Sequence, residues 1–147
     1  RYLTPHNKWS IHSEYQDNLF MLSLSRGGQS IWISDRDADK IGIKDNDWVE
    51  AVNRNGVVAA RAIVSHRMPE GTVYMHHAQD RLIDVPLTER DRKRGGIHNS
   101  LTRTLLKPSH LIGGYAQLAY FFNYIGPTGN NRDEVTMIRK RTAKVEY

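Results

Sequence analysis

The chain has 147 residues, of which 39% are apolar and 25% are charged, and its formal net charge is +5. This composition is typical of a soluble globular domain with a single core and argues against disorder. The sequence has no cysteine, which excludes a disulfide framework or a thiolate metal site within these residues. No apolar run in it reaches the roughly 20 residues of a transmembrane helix. The positive charge favours an anionic partner: nucleic acid, a phosphate-bearing cofactor or an acidic neighbouring domain.

The first part of the chain predicts one strand and one helix. Because the chain opens on Arg1 instead of methionine, we expect residues 1–147 to be a single domain excised from a longer chain. The run Asn18–Leu24 (NLFMLSL) is short, apolar and bounded by polar residues, which favours a buried strand. Ser34 is a typical helix N-cap with Asp37 as its capping partner, so we predict a short helix that ends near Gly42.

A β pattern follows from residue 47 to residue 77. The strand Trp48–Val52 leads into Asn53–Gly56, whose Asn-Gly pair favours the positive backbone angles of a tight hairpin turn. The return strand is Val57–Val64, and a further strand is predicted at Thr72–His76. A late strand at Glu134–Arg139 closes the sheet on itself. Together these elements predict a mainly β fold, a barrel with a few short helices.

Other segments are less regular. The run Gly113–Tyr124 fits a helical face and a buried strand about equally well, and we favour a short helix. Glycine and polar residues gather in three predicted loops, Ser25–Gly28, Arg94–Gly96 and Gly126–Asn131.

Part of the β region follows the pattern of a known family. A short helix, the run Gly42–Val49 (GIKDNDWV), a hairpin and the run Pro69–Val73 (PEGTV) follow one another between residues 34 and 76. This order resembles the C-terminal dinucleotide-binding domain of molybdopterin oxidoreductases. The resemblance implies a double-psi β-barrel, an aspartate-decarboxylase-like architecture that N-terminal domains of AAA ATPases also share in part.

Further motifs are similar to one branch of that family, the respiratory, membrane-bound nitrate reductase alpha subunits. They extend the resemblance from Leu3 to about Lys140, and they are Leu3–Ser13, Leu24–Gly28, His77–Arg81, Arg94–Ser100 and Ile112–Tyr120. The chain departs from the wider superfamily at Thr4–His6, where many members carry a small-Gly-Arg sequence. Histidine chemistry is therefore expected to replace an arginine contact there.

The resemblance implies a cofactor and a cellular setting. The cofactor is bis(molybdopterin guanine dinucleotide) with molybdenum, and a 4Fe-4S cluster is expected in the upstream part of the parent chain. The implied partners are the rest of the alpha subunit, an iron-sulfur beta subunit and a haem-bearing gamma subunit. The implied location is the cytoplasmic face of the bacterial cell membrane, without direct insertion into it. The parent enzyme is expected to reduce nitrate to nitrite in anaerobic respiration, and the isolated domain is expected to be inactive.

The resemblance also selects candidate cofactor-binding residues. Imidazole, amide and hydroxyl groups suit the edges of a pterin and the oxygens of a pyrophosphate. The implied set is Thr4, His6, Lys8, His12, Ser13, His77, Gln79, His98, Asn99, Ser100 and Gln117. No residue of the chain is expected to be catalytic or to bind a metal.

Structural interpretations of the same residues stay open. His6 and His12 also fit a solvated leader, and the segment around His98 also fits a glycine loop in which Asn99 caps a following turn. Alternation along a strand sends His76 and His77 to opposite faces, and the resemblance selects His77. The spacing of the histidines does not suit a zinc site.

The charge leaves a second function open. Between residues 86 and 110 the chain has six lysine and arginine residues against two acidic ones, which is typical of a solvated loop, an interdomain contact or an electrostatic guide for anions. The alternative function is a non-catalytic basic barrel that binds a protein or nucleotide partner. Nucleic acid is not expected, because the basic residues are dispersed among acids and the aromatic residues form no stacking set.

Overall fold

The computed structural model of the protein describes residues 1–12, 14–15, 18–26, 29–77, 98–101, 104–106, 118–120 and 134–143. The strands in these ranges are β1 (Tyr2–Leu3), β2 (Ser30–Ser34), β3 (Trp48–Asn53), β4 (Gly56–Ser65), β5 (Val73–Met75), β6 (Thr104–Leu106), β7 (Leu118–Tyr120) and β8 (Met137–Lys140). The helices are α1 (Leu19–Ser25), α2 (Asp35–Lys40) and a 3-10 turn, His98–Leu101. The fold is mainly β with short helices, as predicted.

Six of the strands form one sheet in the order β1-β5-β2-β4-β3-β8. The pairs β1–β5 and β2–β4 are parallel, whereas β2–β5, β3–β4 and β3–β8 are antiparallel. The sequence interpretation missed β2, which lies in the middle of the sheet and is buried on both faces. A strand buried on both faces lacks the polar alternation that marks a half-exposed one, and five residues give little other signal.

The β3–β4 hairpin is where the sequence predicted it, but its turn works differently. Asn53 pairs with Gly56, and neither Asn55 nor Gly56 has a positive φ, so the predicted positive backbone angles are wrong. Instead, the Asn55 amide N–H donates to the Asn53 side-chain oxygen at 2.8 Å. This side-chain bond closes the turn and removes the need for a left-handed residue.

Helix α2 follows β2 directly and agrees with the prediction. The Ser34 hydroxyl accepts from the Asp37 backbone N–H at 3.0 Å, which caps the first turn. The Asp37 carboxylate accepts from the Gly71 N–H at 2.6 Å, so it ties the helix to the turn before β5. The chain leaves the helix through Gly42, whose φ of +68° is a conformation that glycine adopts without strain.

The predicted buried strand at Asn18–Leu24 is wrong, because these residues begin helix α1. The Asn18 side chain accepts from the backbone N–H groups of Phe20 and Met21 at 3.1 and 3.2 Å, and such a cap stabilises a helix start by about 1 kcal/mol. No residue of α1 is buried, and Leu19 and Phe20 are 79% and 83% exposed. Local capping, rather than burial of the apolar run, determines the structure here.

A second correction concerns the predicted helix at Gly113–Tyr124. Within that run the structure describes only β7, which pairs antiparallel with β6. The period of the run fitted a helix and a buried strand about equally well, and Leu118–Tyr120 form a strand instead of the favoured helix. The predicted loops Arg94–Gly96 and Gly126–Asn131 lie outside the described residues.

The late strand is confirmed as β8, and its segment contacts both ends of the curled sheet. The backbone N–H of Tyr2 donates to the carbonyl of Glu134 at 2.9 Å, while β8 pairs with β3. Side chains reinforce this pairing, because the carboxylate of Glu50 accepts from Arg139 and Arg141, each at 2.9 Å. The chain from Glu134 to Arg141 therefore links the β1 edge to β3.

The core lies inside this curled sheet. Its fully buried members include Tyr2, Ile31, Ile33, Val49, Val58, Met75 and Leu101. Burying an aliphatic side chain of this size stabilises a fold by about 1.5–3 kcal/mol. Tyr2 and Leu101 belong to the segments that bring the candidate site to the sheet, so core packing also places that site. No helix in the described part of the chain is long and apolar enough to cross a membrane.

Candidate functional site

Four of the predicted histidines meet in one group, which we call the imidazole cluster: His6, His12, His77 and His98. The ring centre of His77 lies 4.2 Å from that of His6, 5.1 Å from that of His12 and 5.9 Å from that of His98. The His6 and His12 rings are 6.2 Å apart. His77 is therefore the centre of a cluster that joins three separate segments of the chain.

The sheet brings the first two segments together. Strand β1 runs parallel to β5 with Tyr2 opposite Val73. The two segments stay side by side beyond the strands, because the His77 N–H donates to the Pro5 carbonyl at 3.1 Å. Main-chain pairing thus carries the opening segment alongside the end of β5 and sets His6 beside His77.

His12 reaches the cluster through a tight turn. The Glu14 N–H donates to the Ile11 carbonyl at 2.8 Å, and His12 within this turn has a φ of +50°. A left-handed conformation costs a residue other than glycine roughly 1 kcal/mol, and such strain collects at functional positions. Here it turns the His12 ring toward His77.

The third segment is the 3-10 turn that starts at His98. His98 is only 7% exposed, and Leu101 at the other end of the turn is fully buried. The Tyr2 hydroxyl donates to the His98 carbonyl at 3.1 Å. Because His77 is half-buried while His6 and His12 are exposed, the cluster forms a row of imidazoles from the interior to the surface.

The other predicted residues are placed less uniformly. Thr4 is buried between β1 and His6, and Asn99 and Ser100 are half-buried next to His98. The Lys8 ammonium lies 4.7 Å from the centre of the Trp9 ring, a cation–π distance, at the surface of the opening segment. Ser13, Gln79 and Gln117 lie outside the described residues, as does most of the basic stretch 86–110.

His76 lies apart from the cluster, as strand alternation predicts. Its ring contacts Tyr74 at 5.3 Å, and Tyr74 stacks on Trp32 at 5.4 Å. Burial, and secondarily the charge of His77, lower the pKa of His76. Burial also raises the pKa of Tyr74, so both groups are held in their neutral forms on that face.

Sequence reasoning missed the residues that support the 3-10 turn. The side-chain amides of Asn53 and Asn55 both donate to the Leu101 carbonyl, at 2.7 and 3.0 Å, and a Cβ on Gly56 would lie 2.6 Å from the Ser100 carbonyl oxygen. The Asn-Arg-Asn-Gly run was interpreted only as a turn. Nothing in its local pattern indicates contacts with a segment more than 40 residues away.

The cluster does not resemble a metal centre. Among the described residues, no group of three or more histidine, cysteine, aspartate or glutamate side chains is arranged to hold a metal ion. The imidazoles of the cluster can instead donate and accept hydrogen bonds. The arrangement therefore suits a polar organic ligand that runs along the row of rings.

Comparison with known proteins gives this arrangement a family context. Residues 1–119 match the family described as "Molydopterin dinucleotide binding domain". The chain is 65% identical over all of its 147 residues to a nitrate reductase alpha subunit of Mycobacterium tuberculosis, and 62% identical over 139 residues, 95% of the chain, to a nitrate reductase alpha chain of Bacillus subtilis. It spans only 12% and 11% of the lengths of these relatives.

A solved structure is similar in fold. Acetylene hydratase from Pelobacter acetylenicus superimposes with a TM-score of 0.50 at 14% sequence identity, over 65% of this chain and 13% of the other. At this identity the likeness concerns the fold alone. It agrees with the mainly β fold of this chain.

Proposed function

This chain belongs to the molybdopterin dinucleotide-binding domain family, and from that premise we propose that it binds molybdopterin guanine dinucleotide within a nitrate reductase alpha subunit. The observation that carries the proposal is the convergence of His6, His12, His77 and His98, with ring centres 4.2–6.2 Å apart, from three segments of the chain. Hydrogen-bonding side chains gathered in this way are what a pterin dinucleotide requires of its protein.

The groups present fit that ligand. An imidazole can donate to a pyrophosphate oxygen or exchange hydrogen bonds with the ring nitrogens and amide edge of a pterin. The hydroxyl of Ser10 is buried and has no hydrogen-bond partner among the described residues. Leaving such a group unpaired costs about 1–3 kcal/mol. A polar ligand beside the opening segment offers that hydroxyl a partner.

We propose that the cluster binds and orients the cofactor together with polar neighbours. His98 is the innermost of the four histidines and His6 and His12 the outermost, so the ligand extends along the row from the core to the surface. The further residues proposed for this role are Thr4, Lys8, Asn99 and Ser100, and, outside the described residues, Ser13, Gln79 and Gln117. Of these histidines, His6 is proposed to replace the arginine of the small-Gly-Arg sequence that many molybdopterin oxidoreductases carry at the position of Thr4–His6.

The proposed architecture is a double-psi β-barrel formed by a single domain, residues 1–147. The parallel pairs β1–β5 and β2–β4, together with the bridge from Tyr2 to Glu134, support it. In this arrangement the barrel is a rigid support, and the loops at one end hold the cofactor. The remainder of the alpha subunit covers the other side of the ligand.

For the whole enzyme we propose nitrate reduction to nitrite, on the strength of relatives named as nitrate reductases. When bound, the molybdenum cofactor supplies oxygen-atom transfer, and a 4Fe-4S cluster upstream supplies electrons. The proposed partners are an iron-sulfur beta subunit and a haem-bearing gamma subunit at the cytoplasmic face of the membrane. This chain contributes binding and orientation, and none of its residues acts as nucleophile or metal ligand.

A second candidate, a protein-binding module without redox function, is favoured by one observation. Leu19, Phe20 and Leu24 of α1 are more than half exposed, and exposed apolar groups of this size are typical of a surface that another protein covers. The two candidates differ in whether the parent protein contains a cofactor.

The test is to purify the full-length parent and measure molybdenum and guanine nucleotide per polypeptide, together with nitrate-dependent oxidation of reduced viologen. We expect both components of the cofactor and the activity. A stable, folded parent with neither cofactor nor activity would contradict the proposal and favour the protein-binding module.

A further inference from the structure

We propose that the tip of the β3–β4 hairpin, Asn53–Gly56, positions His98 for the cofactor by holding the 3-10 turn His98–Leu101. This inference rests on the proposed function and assigns positioning residues to the same site. The tip does not touch the imidazole cluster in any described contact. It acts through the backbone of the turn.

The first contact is a double hydrogen bond to one carbonyl. The amide nitrogens of Asn53 and Asn55 donate to the Leu101 oxygen at 2.7 and 3.0 Å. A carbonyl oxygen has two lone pairs, so this oxygen is saturated by the hairpin. The C-terminal end of the turn is thereby fixed to the hairpin tip.

The orientation of the Asn53 amide is itself fixed. Its oxygen accepts from the Asn55 backbone N–H at 2.8 Å, and its nitrogen also reaches the Thr136 hydroxyl at 3.2 Å. Reversing the amide would lose the bonds to the Asn55 N–H and to the Leu101 carbonyl, because an N–H cannot face a donor and a carbonyl oxygen cannot face an acceptor. The same hydrogen-bond network therefore closes the hairpin turn and holds the 3-10 turn.

The second contact is steric. A Cβ at position 56 would stand 2.6 Å from the Ser100 carbonyl oxygen and 3.5 Å from its carbonyl carbon. Both are backbone atoms, so no side-chain rotation relieves the clash. Because the φ of Gly56 is not positive, alanine suits the hairpin backbone, and the strain falls on the turn.

The turn has little freedom between its two ends. At its start the Tyr2 hydroxyl donates to the His98 carbonyl, and at its end the Leu101 side chain is fully buried. Moving the Ser100 carbonyl therefore moves His98, two residues away, relative to His77. The 5.9 Å separation of these two rings depends on the hairpin.

The experiment uses the full-length parent enzyme carrying Gly56→Ala or Asn55→Asp. Asn55→Asp is nearly isosteric, but it replaces the donor to Leu101 with an acceptor. Arg54→Ala is the matched control, because Arg54 is exposed at the same tip. His98→Ala reports the effect of losing the imidazole itself.

Three quantities are measured: guanine nucleotide per polypeptide, the midpoint potential of the molybdenum couple, and labelling of each histidine by diethyl pyrocarbonate in cofactor-free protein. Losing one hydrogen bond of ordinary strength raises the population of a displaced turn about fivefold. We expect His98 labelling to rise about fivefold in Asn55→Asp and to rise in Gly56→Ala as well, with the potential shifted in the same direction as in His98→Ala. Arg54→Ala should match the wild type.

Two results would overturn the inference, and they are distinguishable. If His98→Ala shifts nucleotide content or potential while Asn55→Asp and Gly56→Ala leave every quantity at the wild-type value, the positioning role fails and the cofactor site stands. If His98→Ala also changes nothing, the assignment of His98 to the cofactor fails as well. Should Gly56→Ala not fold, Asn55→Asp alone decides between these results.

Discussion

The central strands β2 to β5, within residues 29–77, and the opening segment of residues 1–26 differ in where their side chains find partners. In the sheet, Ile31, Ile33 and Val49 are almost fully buried against one another and their neighbours. In the opening segment, Leu19 and Phe20 are largely exposed, and the histidines contact residues more than 60 positions away. The central strands supply most of the core, whereas the opening segment, apart from the buried Tyr2, carries side chains whose partners lie outside it.

The comparison explains why the candidate site lies where the two regions meet. A loop alone cannot hold several imidazoles in fixed positions, because each exposed residue that is ordered costs conformational entropy. Pairing of β1 with β5 and the hydrogen bond from His77 to Pro5 fix the start of the opening segment to the sheet. His6 and His12, the two cluster histidines of the opening segment, are thus anchored to the sheet through β1 and Pro5.

The largest expected effect is the difference in the free energy of unfolding between a substitution in the central strands and one in the opening segment. Ile33→Ala removes a side chain that is 2% exposed, and such a change costs about 2–5 kcal/mol. Phe20→Ala, on an 83% exposed side chain, should leave the free energy of unfolding within about 0.5 kcal/mol of the wild type. Urea unfolding of the three chains provides the comparison. Equal losses would mean that α1 packs against the core and that the contrast between the regions is wrong.

A smaller effect is expected within the opening segment. Asn18→Ala removes the cap of α1 and should destabilise that helix by about 1 kcal/mol. We expect hydrogen exchange of residues 19–25 to accelerate about fivefold, while exchange in β2 and β4 stays at the wild-type rate. If exchange in the sheet accelerates equally, α1 is coupled to the core more tightly than its exposure indicates.

The smallest effect concerns His76, which follows β5 and lies on the face opposite the imidazole cluster. Because burial lowers the pKa of His76 below its ordinary value of 6.5, the unfolded chain binds a proton there that the folded chain does not. The contribution of neutral His76 to the free energy of unfolding is complete above pH 6.5. It is lost as the pH falls through the lowered pKa of His76. His76→Gln should therefore flatten the fall in unfolding free energy between about pH 8 and pH 5. His66→Gln, at an exposed turn, is the control, and an equal flattening by both would remove His76 as the cause.

Local features of the sheet, apart from the strand β2, were predictable from the sequence, because each of these elements carries its own signal. The α2 helix has a serine cap, and β3, β4 and β5 have runs of strand-forming residues between turns, so each carries its own signal. By contrast, α1 was mistaken for a buried strand because its composition is that of a core element. Its actual structure depends on the Asn18 cap, which composition does not report.

The candidate site was predictable in its residues but not in its geometry. Spacing alone leaves His6, His12, His77 and His98 as separate histidines, and the family resemblance is what grouped them. The role of Gly56 could not be predicted from the sequence either, because its lack of a Cβ matters for the contact with Ser100 rather than for the turn. Contacts between distant segments are a property of the folded chain.

The most direct test of the imidazole cluster measures guanine nucleotide and molybdenum per polypeptide in the purified full-length parent with His77→Ala, against His66→Ala as the exposed histidine control. His77 is the centre of the cluster, and losing a hydrogen bond to a charged group should weaken cofactor retention about tenfold. We predict depleted cofactor in His77→Ala and wild-type content in His66→Ala. Full cofactor content in a folded His77→Ala enzyme, retained through gel filtration, would contradict the assignment of the cluster to the cofactor.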